Sequence, residues 1–237
     1  MQNINNKSID MILCDLPYGQ TARNKWDTVI PFQPLWEQYT RIIKDDGAIV
    51  LFANGMFTAD LMQSNRKMWK YNLVWDKALP SGFLNAKKMP MRSHEDICVF
   101  YKKPPTYNPQ MVEGKECHSR GNAVGKSQED FSRNTNYGEL DAVETKGNLK
   151  YPKSILTFQK PHPSTTIHPT QKPVECLEWL VNTYTNENEL VLDNCIGSGS
   201  TAVACINTKR NFIGFENDTT YCDMANKRIQ GIVSKLQ

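Results

Sequence analysis

No apolar run in this 237-residue chain approaches the ~20 residues that a membrane-spanning helix needs. The opening residues, Met1 to Lys7, lack the basic-then-apolar order of a signal peptide. The seven cysteines, at 14, 98, 117, 176, 195, 205 and 222, are odd in number and none stands in a C-x-x-C pair. That pattern argues against a disulfide framework or a zinc ribbon. It is read as reduced, mostly buried thiols in a cytoplasmic protein with no metal site. There are no internal repeats and no low-complexity tracts. Charge of one sign is also scarce, with a net formal charge of only +3. The excess is local, since residues 102–160 hold ten Lys/Arg against seven Asp/Glu and the remainder is neutral. A mildly basic segment on a neutral body suits an acidic partner such as nucleic acid, although a solvated face has the same composition.

What is present is a sequence of alternating elements. Ile9–Cys14 reads as a buried strand closed by Asp15, followed by a loop through Asp27. Phe32, Leu35, Trp36, Tyr39, Ile42 and Ile43 recur at helical spacing, so 32–43 is predicted helical and Lys44–Gly47 is predicted to end it. Ala48–Phe52 is a short apolar run of the kind found in parallel strands. A helix is expected over 57–67, and strands over Tyr71–Trp75 and Ile97–Tyr101. Residues 102–150 are loop-rich, with Pro104, Pro105, Pro109 and five glycines. Periodicity returns in a helix at 174–185, a strand at Glu189–Asp193, a helix at Thr201–Thr208, a strand at Asn211–Glu216 and a helix at 219–233. Strands alternating with helices predict a mostly parallel α/β sheet.

Three constellations carry chemistry. In Asp193-Asn194-Cys195-Ile196-Gly197-Ser198-Gly199-Ser200-Thr201 the glycines allow a sharp turn and close approach to a ligand. The helix that follows points free N–H groups at that ligand. Glu216, at the end of the next strand, can accept from both hydroxyls of a ribose. The spacing also fits the dinucleotide fingerprint, so NAD and S-adenosylmethionine both remain open here. An aspartate directly before the turn favours the latter, because it binds an ammonium and repels a pyrophosphate. Asp15-Leu16-Pro17-Tyr18 closes the first strand, where ligands of such sheets bind. It joins an acceptor carboxylate, exposed carbonyls and an aromatic face, a set suited to an exocyclic amine on a planar base. His168-Pro169-Thr170-Gln171-Lys172-Pro173 brackets polar donors between prolines just before a helix. Taken singly, the last two segments also read as an ordinary turn and a helix-entry loop.

Together, in this order, these residues resemble the amino-group DNA methyltransferases of the β class. That family carries an Asp-Pro-Pro-Tyr tetrad, a variable target-recognition region, His-Pro-Thr-Gln-Lys-Pro, a glycine-rich cofactor loop and an acid on the next strand. Trp75-Asp76-Lys77 and the run Ser93–Tyr101 also look like family segments. Leu16 departs from the first proline of the tetrad, and Asn194-Cys195 from the usual Pro-Phe.

The resemblance implies a Rossmann-like S-adenosylmethionine-dependent fold. Residues 1–101 would form the catalytic half, 102–160 an inserted target-recognition region and 161–237 the cofactor half. It implies methyl transfer to an exocyclic amine of DNA, adenine N6 because the tetrad starts with an acid, without a metal or covalent intermediate. Cytosine N4 transfer is the alternative, as is a nucleic-acid-binding relative that has lost catalysis; similar tetrads also serve RNA and protein glutamine. Asp15, Pro17 and Tyr18 would be catalytic. His168, Thr170, Lys172, Asp193, Cys195, Gly197, Ser198, Gly199, Thr201 and Glu216 would hold the cofactor, and Lys102 and Lys103 would touch DNA. The implied partners are DNA, a second copy in a homodimer and a cognate restriction nuclease, with no membrane.

Overall fold

A computed structural model of the chain describes residues 1–20, 27–115, 147–162, 164, 166 and 170–236. Two compact units are present, Met1–Asn108 with Lys153–Gln237, and Pro109–Pro152. The described part of the smaller unit is a two-stranded antiparallel ladder of β5 (Val112–Glu113) and β6 (Leu149–Lys150). The boundary lies inside the 102–160 span expected from composition, because residues on both flanks join the larger unit. β7 (Ile155–Thr157) is one of its strands.

The larger unit is built on a seven-stranded sheet of order β7-β3-β4-β2-β1-β8-β9. Its other strands are β1 (Ile9–Asp15), β2 (Ile43–Ala53), β3 (Trp69–Ser81), β4 (Arg92–Phe100), β8 (Leu190–Asp193) and β9 (Asn211–Gly214). Pairing is parallel except on the two sides of β4. The mostly parallel sheet expected from the alternation of elements is therefore observed. The apolar runs of β1 and β2 are unbroken because both faces are covered. Ile12 and Cys14 of β1, with Ile49, Leu51 and Ala53 of β2, pack against α1 (Phe32–Ile42) and α2 (Met56–Ser64). Met11 and Leu13, with Ala48, Val50 and Phe52, face α3 (Val174–Tyr184) and α4 (Ser200–Asn207) instead. The period-two alternation of a strand thus splits one apolar run between two cores. A fifth helix, α5 (Thr219–Leu236), follows β9.

Several boundaries differ from the sequence expectation. Lys44–Gly47 is not a helix-ending loop, since α1 runs directly into β2. Ile43 pairs with Ile9 and Ala48 with Met11, so the ladder bulges around Lys44–Gly47. Gly47 is required there, because a Cβ would lie 2.7 Å from the Asp10 carbonyl oxygen. α2 stops at Ser64 rather than 67. Asn65 leaves the helical region, and its carbonyl accepts from the N–H groups of Met68 and Trp69. β3 and β4 run well beyond their apolar cores into polar, exposed sequence.

β1 lies between two parallel neighbours reached by opposite excursions of the chain, β2 on one side and β8 on the other. Such a switch point leaves a crevice at the carboxyl ends of the strands. Asp15 and Asp193 close the two strands that flank it.

Candidate active site

Asp15 ends β1 in register with Phe52. One carboxylate oxygen, Oδ1, accepts from the Tyr18 hydroxyl at 2.6 Å. The other, Oδ2, accepts from Lys172 Nζ at 2.6 Å. Lys172 also lies 3.3 Å from Glu95, whose second oxygen accepts from Lys77 Nζ at 3.1 Å. A chain of alternating charge therefore runs Lys77, Glu95, Lys172, Asp15 and ends on a phenol. Lys172 is only 8% exposed, and its ammonium stands 5.0–5.8 Å from the ring centres of Phe52, Tyr18 and Trp75. Burial alone would drive the proton off. The Asp15 and Glu95 carboxylates outweigh burial, and the lysine pKa lies above its ordinary value. For Glu95 burial likewise favours the neutral form, and Lys172 and Lys77 overcome it, leaving the pKa lowered. Burial, then the Asp15 charge, pushes the Tyr18 phenol well up, so it remains a donor. Its ring lies 5.0 Å from that of Phe57, tilted by 32°.

The acids on the other side are held differently. Asp193 Oδ1 accepts from the Cys195 N–H at 3.0 Å, and Oδ2 from the Thr201 hydroxyl at 2.6 Å. Burial pushes its pKa up to about 6 against those two bonds. Gly197 and Gly199 take positive φ of 50° and 77° in the turn, the conformation that favours glycine. A side chain at 199 would also come within 3.2 Å of Ala225 on α5. Glu216 lies just past β9, its Oε2 accepting from the Gly197 N–H at 2.8 Å and Oε1 from those of Asn217 and Asp218. Arg228 donates to the Ser198 carbonyl and the Ser200 hydroxyl, which pins α5 to the turn.

A single cavity of about 850 Å³ joins the two sides. Among its lining residues are Asp15, Pro17, Tyr18, Thr170, Lys172, Asp193, Cys195, Gly197, Ser198, Thr201 and Glu216. Gly199 supports the turn from behind. His168 lies outside the described residues. Lys102 and Lys103 are not brought to the cavity. They project beside Asp45, 3.2 and 3.9 Å from its carboxylate, near the opposite ends of the strands where Lys7 also meets Asp45. Lys172, expected to hold cofactor, lines the cavity and donates to Asp15. Lys77, Glu95 and Gln171 were not singled out as site residues, although all three fall in segments that resembled the family. Gln171 accepts from the Ser198 hydroxyl at 3.3 Å and so ties the Thr170–Lys172 segment to the turn.

The donor set of the turn discriminates between cofactors. Asp193 and Glu216 border the cavity with no ion-pair partner among the described residues. Two uncompensated carboxylates repel a pyrophosphate and attract a cationic ligand. S-adenosylmethionine, with its sulfonium and ammonium, fits that charge and NAD does not.

The solved structures similar to this chain have that architecture. The M1.HpyAVI–SAM complex matches with a TM-score of 0.63 at 22% identity, covering 96% of this chain and 90% of that one. The cytosine-N4-specific PvuII DNA methyltransferase matches at 0.60 and 14%, covering 97% and 89%. Among curated relatives, the type II methyltransferase M1.MboII of Moraxella bovis is 26% identical over 245 residues, 95% of this chain and 91% of that protein. M.BglII of Bacillus subtilis is 28% identical over 254 residues, 97% of this chain and 66% of the relative. The DNA methylase family model (N6_N4_Mtase) matches residues 9–227. The chain belongs to this family of amino-group DNA methyltransferases, whose methyl donor is S-adenosylmethionine.

Proposed function

We propose that the chain methylates the N6 amine of adenine in DNA, with Asp15 and Tyr18 at the reacting end of the cavity and Asp193 and Glu216 at the cofactor end. The observation that carries the reading is the carboxylate of Asp15 at the close of β1, facing the same cavity as the acid-lined turn. A target base must leave the helix stack to reach it. Asp15 then accepts one hydrogen of the amine, and the backbone carbonyl of Leu16 or Pro17 accepts the other. This aims the nitrogen lone pair away from ring conjugation. The Tyr18 ring provides a stacking face. Lys172 fixes one oxygen of Asp15 at 2.6 Å, so that the carboxylate accepts without reorganising. When bound, S-adenosylmethionine supplies an electrophilic methyl carbon on a sulfonium leaving group. Asp193 would take its ammonium and Glu216 its ribose hydroxyls, with Thr170, Cys195, Gly197, Ser198 and Thr201 along the remaining wall.

Adenine is favoured over cytosine because the tetrad begins with a carboxylate. The segment Pro109–Pro152, within the basic 102–160 stretch, is the region to which we assign sequence choice. The type II naming of M1.MboII and M.BglII supports a restriction–modification setting with a cognate nuclease. The deciding assay is transfer of tritiated methyl to DNA followed by nucleoside digestion. Label in N6-methyl-2′-deoxyadenosine is expected, and label in N4-methyl-2′-deoxycytidine would overturn the adenine assignment.

A further inference from the structure

β3 and β4 are joined by a segment that the cavity chemistry leaves unused. Both strands reach the cavity rim, where Lys77, Ser81, Arg92 and Glu95 line the wall. β3 runs parallel to β1 and β4 runs back against it, so the connection at 82–91 projects on the cavity side of the sheet. Its turn is a short 3₁₀ segment, Phe83–Asn85, entered through Gly82 at φ 90°. Phe83 is 80% exposed and Leu84 96% exposed. Leu79, Met89 and Met91 on the flanks are exposed as well. A cluster of large apolar side chains held out in water marks a contact surface.

The charges around it select the partner. No acidic residue occurs between Asp76 and Glu95, while Lys87, Lys88 and Arg92 all lie there, exposed. None of these three side chains has a hydrogen-bond or ion-pair partner among the described residues. An apolar tip flanked by unpaired cations, at the rim of a cavity that receives a base, matches the needs of a duplex losing that base. Apolar side chains placed between base steps unstack them, and extrusion costs least when the stack is already disrupted. We propose that Phe83 and Leu84 form a wedge that enters the base stack as the target nucleotide turns into the cavity, with Lys87 and Lys88 on the adjoining phosphates. The inference deepens the DNA-methyltransferase reading and rests on it.

The test uses the full chain and a recognition site mapped by modified-base sequencing of DNA from cells that express it. Two synthetic duplexes carry that site, one with an intact target pair and one with an abasic position opposite the target. The double variant Phe83→Ala/Leu84→Ala should lose about tenfold or more of kcat/KM on the intact duplex, because the wedge acts against stacking. The loss should shrink to less than about threefold on the abasic duplex, where that work is already done. A 2-aminopurine at the target position should brighten less with the variant than with the wild type. Calorimetric binding of S-adenosylmethionine verifies that the variant is folded. Lys87→Ala/Lys88→Ala should lower the slope of log K against log salt by about 1–2. Equal losses on the two duplexes, or no loss on either, would overturn the wedge. So would a wild-type dimer that becomes a monomer on substitution, which would assign the tip to a second copy of the chain. A wild type inactive on both duplexes would instead count against the methyltransferase reading itself.

Discussion

On one side of the cavity Asp15 faces a buried cation, and on the other Asp193 and Glu216 face amides and a hydroxyl. Lys172 sits 2.6 Å from Asp15 and 3.3 Å from Glu95. Asp193 and Glu216 are held by the Thr201 hydroxyl and backbone N–H groups, with no ion-pair partner among the described residues. The side proposed to be catalytic is thus charge-balanced before any ligand arrives, which would suit a group that accepts hydrogens from a neutral amine. The cofactor side carries negative charge that only a cationic ligand completes. The difference locates selectivity: position and orientation on the base side, electrostatic attraction on the cofactor side.

The sharpest way to break this contrast is Asp15→Ala. Turnover should fall by ~10²–10⁴-fold with S-adenosylmethionine affinity nearly intact, since the lost contact acts on the transition state. Single-turnover methyl transfer beside calorimetry measures both, and full activity would remove Asp15 from the mechanism. Next in size, Lys172→Met leaves the half-buried Asp15 and Glu95 without their shared cation. Stability should drop by about 3–5 kcal/mol in urea titration, and Lys172→Arg should recover part of it. If Lys172→Met lowered cofactor affinity alone, the lysine would belong to the other side of the comparison.

Glu216→Ala should weaken S-adenosylmethionine binding by ~1.5–3 kcal/mol, the range for hydrogen bonds to a charged group. It also strips three backbone amides of their acceptor, so some loss of order in the turn is expected with it. A pH series sharpens the same side. Asp193 has a pKa raised to about 6 by burial, above the ~3.9 of a free aspartate. Between those values the folded chain holds a proton that the unfolded chain has released. The contribution of Asp193 to stability therefore declines as pH rises from about 4 to about 6. Cofactor binding has the opposite sign, because an ammonium prefers the ionised carboxylate. Affinity should fall about tenfold per pH unit below about 6, and Asp193→Asn should flatten that dependence in calorimetry at pH 5–8. The smallest effect is expected for Tyr18→Phe. The stacking face survives, and only the bond to Asp15 is lost, about 0.5–1.5 kcal/mol, read in the KM for DNA.

Much of this arrangement was legible in the residues. β1, β2 and β8 are short apolar runs closed by an Asp or by a glycine-bearing turn, and doubly covered strands must be continuously apolar. Asp193, Gly197, Gly199 and Glu216 announce a ligand turn because positive φ and a strand-ending acid have few other uses. The Lys172–Asp15 pair was not legible. It joins residues 157 positions apart, and only the strand order β2-β1-β8 decides which strand ends become neighbours. Lys77 and Glu95 escaped for a similar reason, each sitting in the polar extension of a strand whose apolar core drew attention instead. The bulge at Lys44–Gly47 looked like a helix stop because Asp-Asp-Gly serves both purposes. Phe83 and Leu84 gave no periodicity at all. Their meaning comes from exposure, which composition does not report.

The separation between Lys172 and Asp15 also has a consequence in time. At ~5–20 residues per second, synthesis delivers the lysine roughly 8–30 s after the aspartate. Through that interval β1 lacks β8 as well, so the middle of the future sheet has an open edge. The base-facing loop of a nascent chain is therefore complete in sequence but carries an unbalanced acid and no cofactor wall. The cavity is walled on both sides only after β8 and the Lys172 segment have closed onto β1.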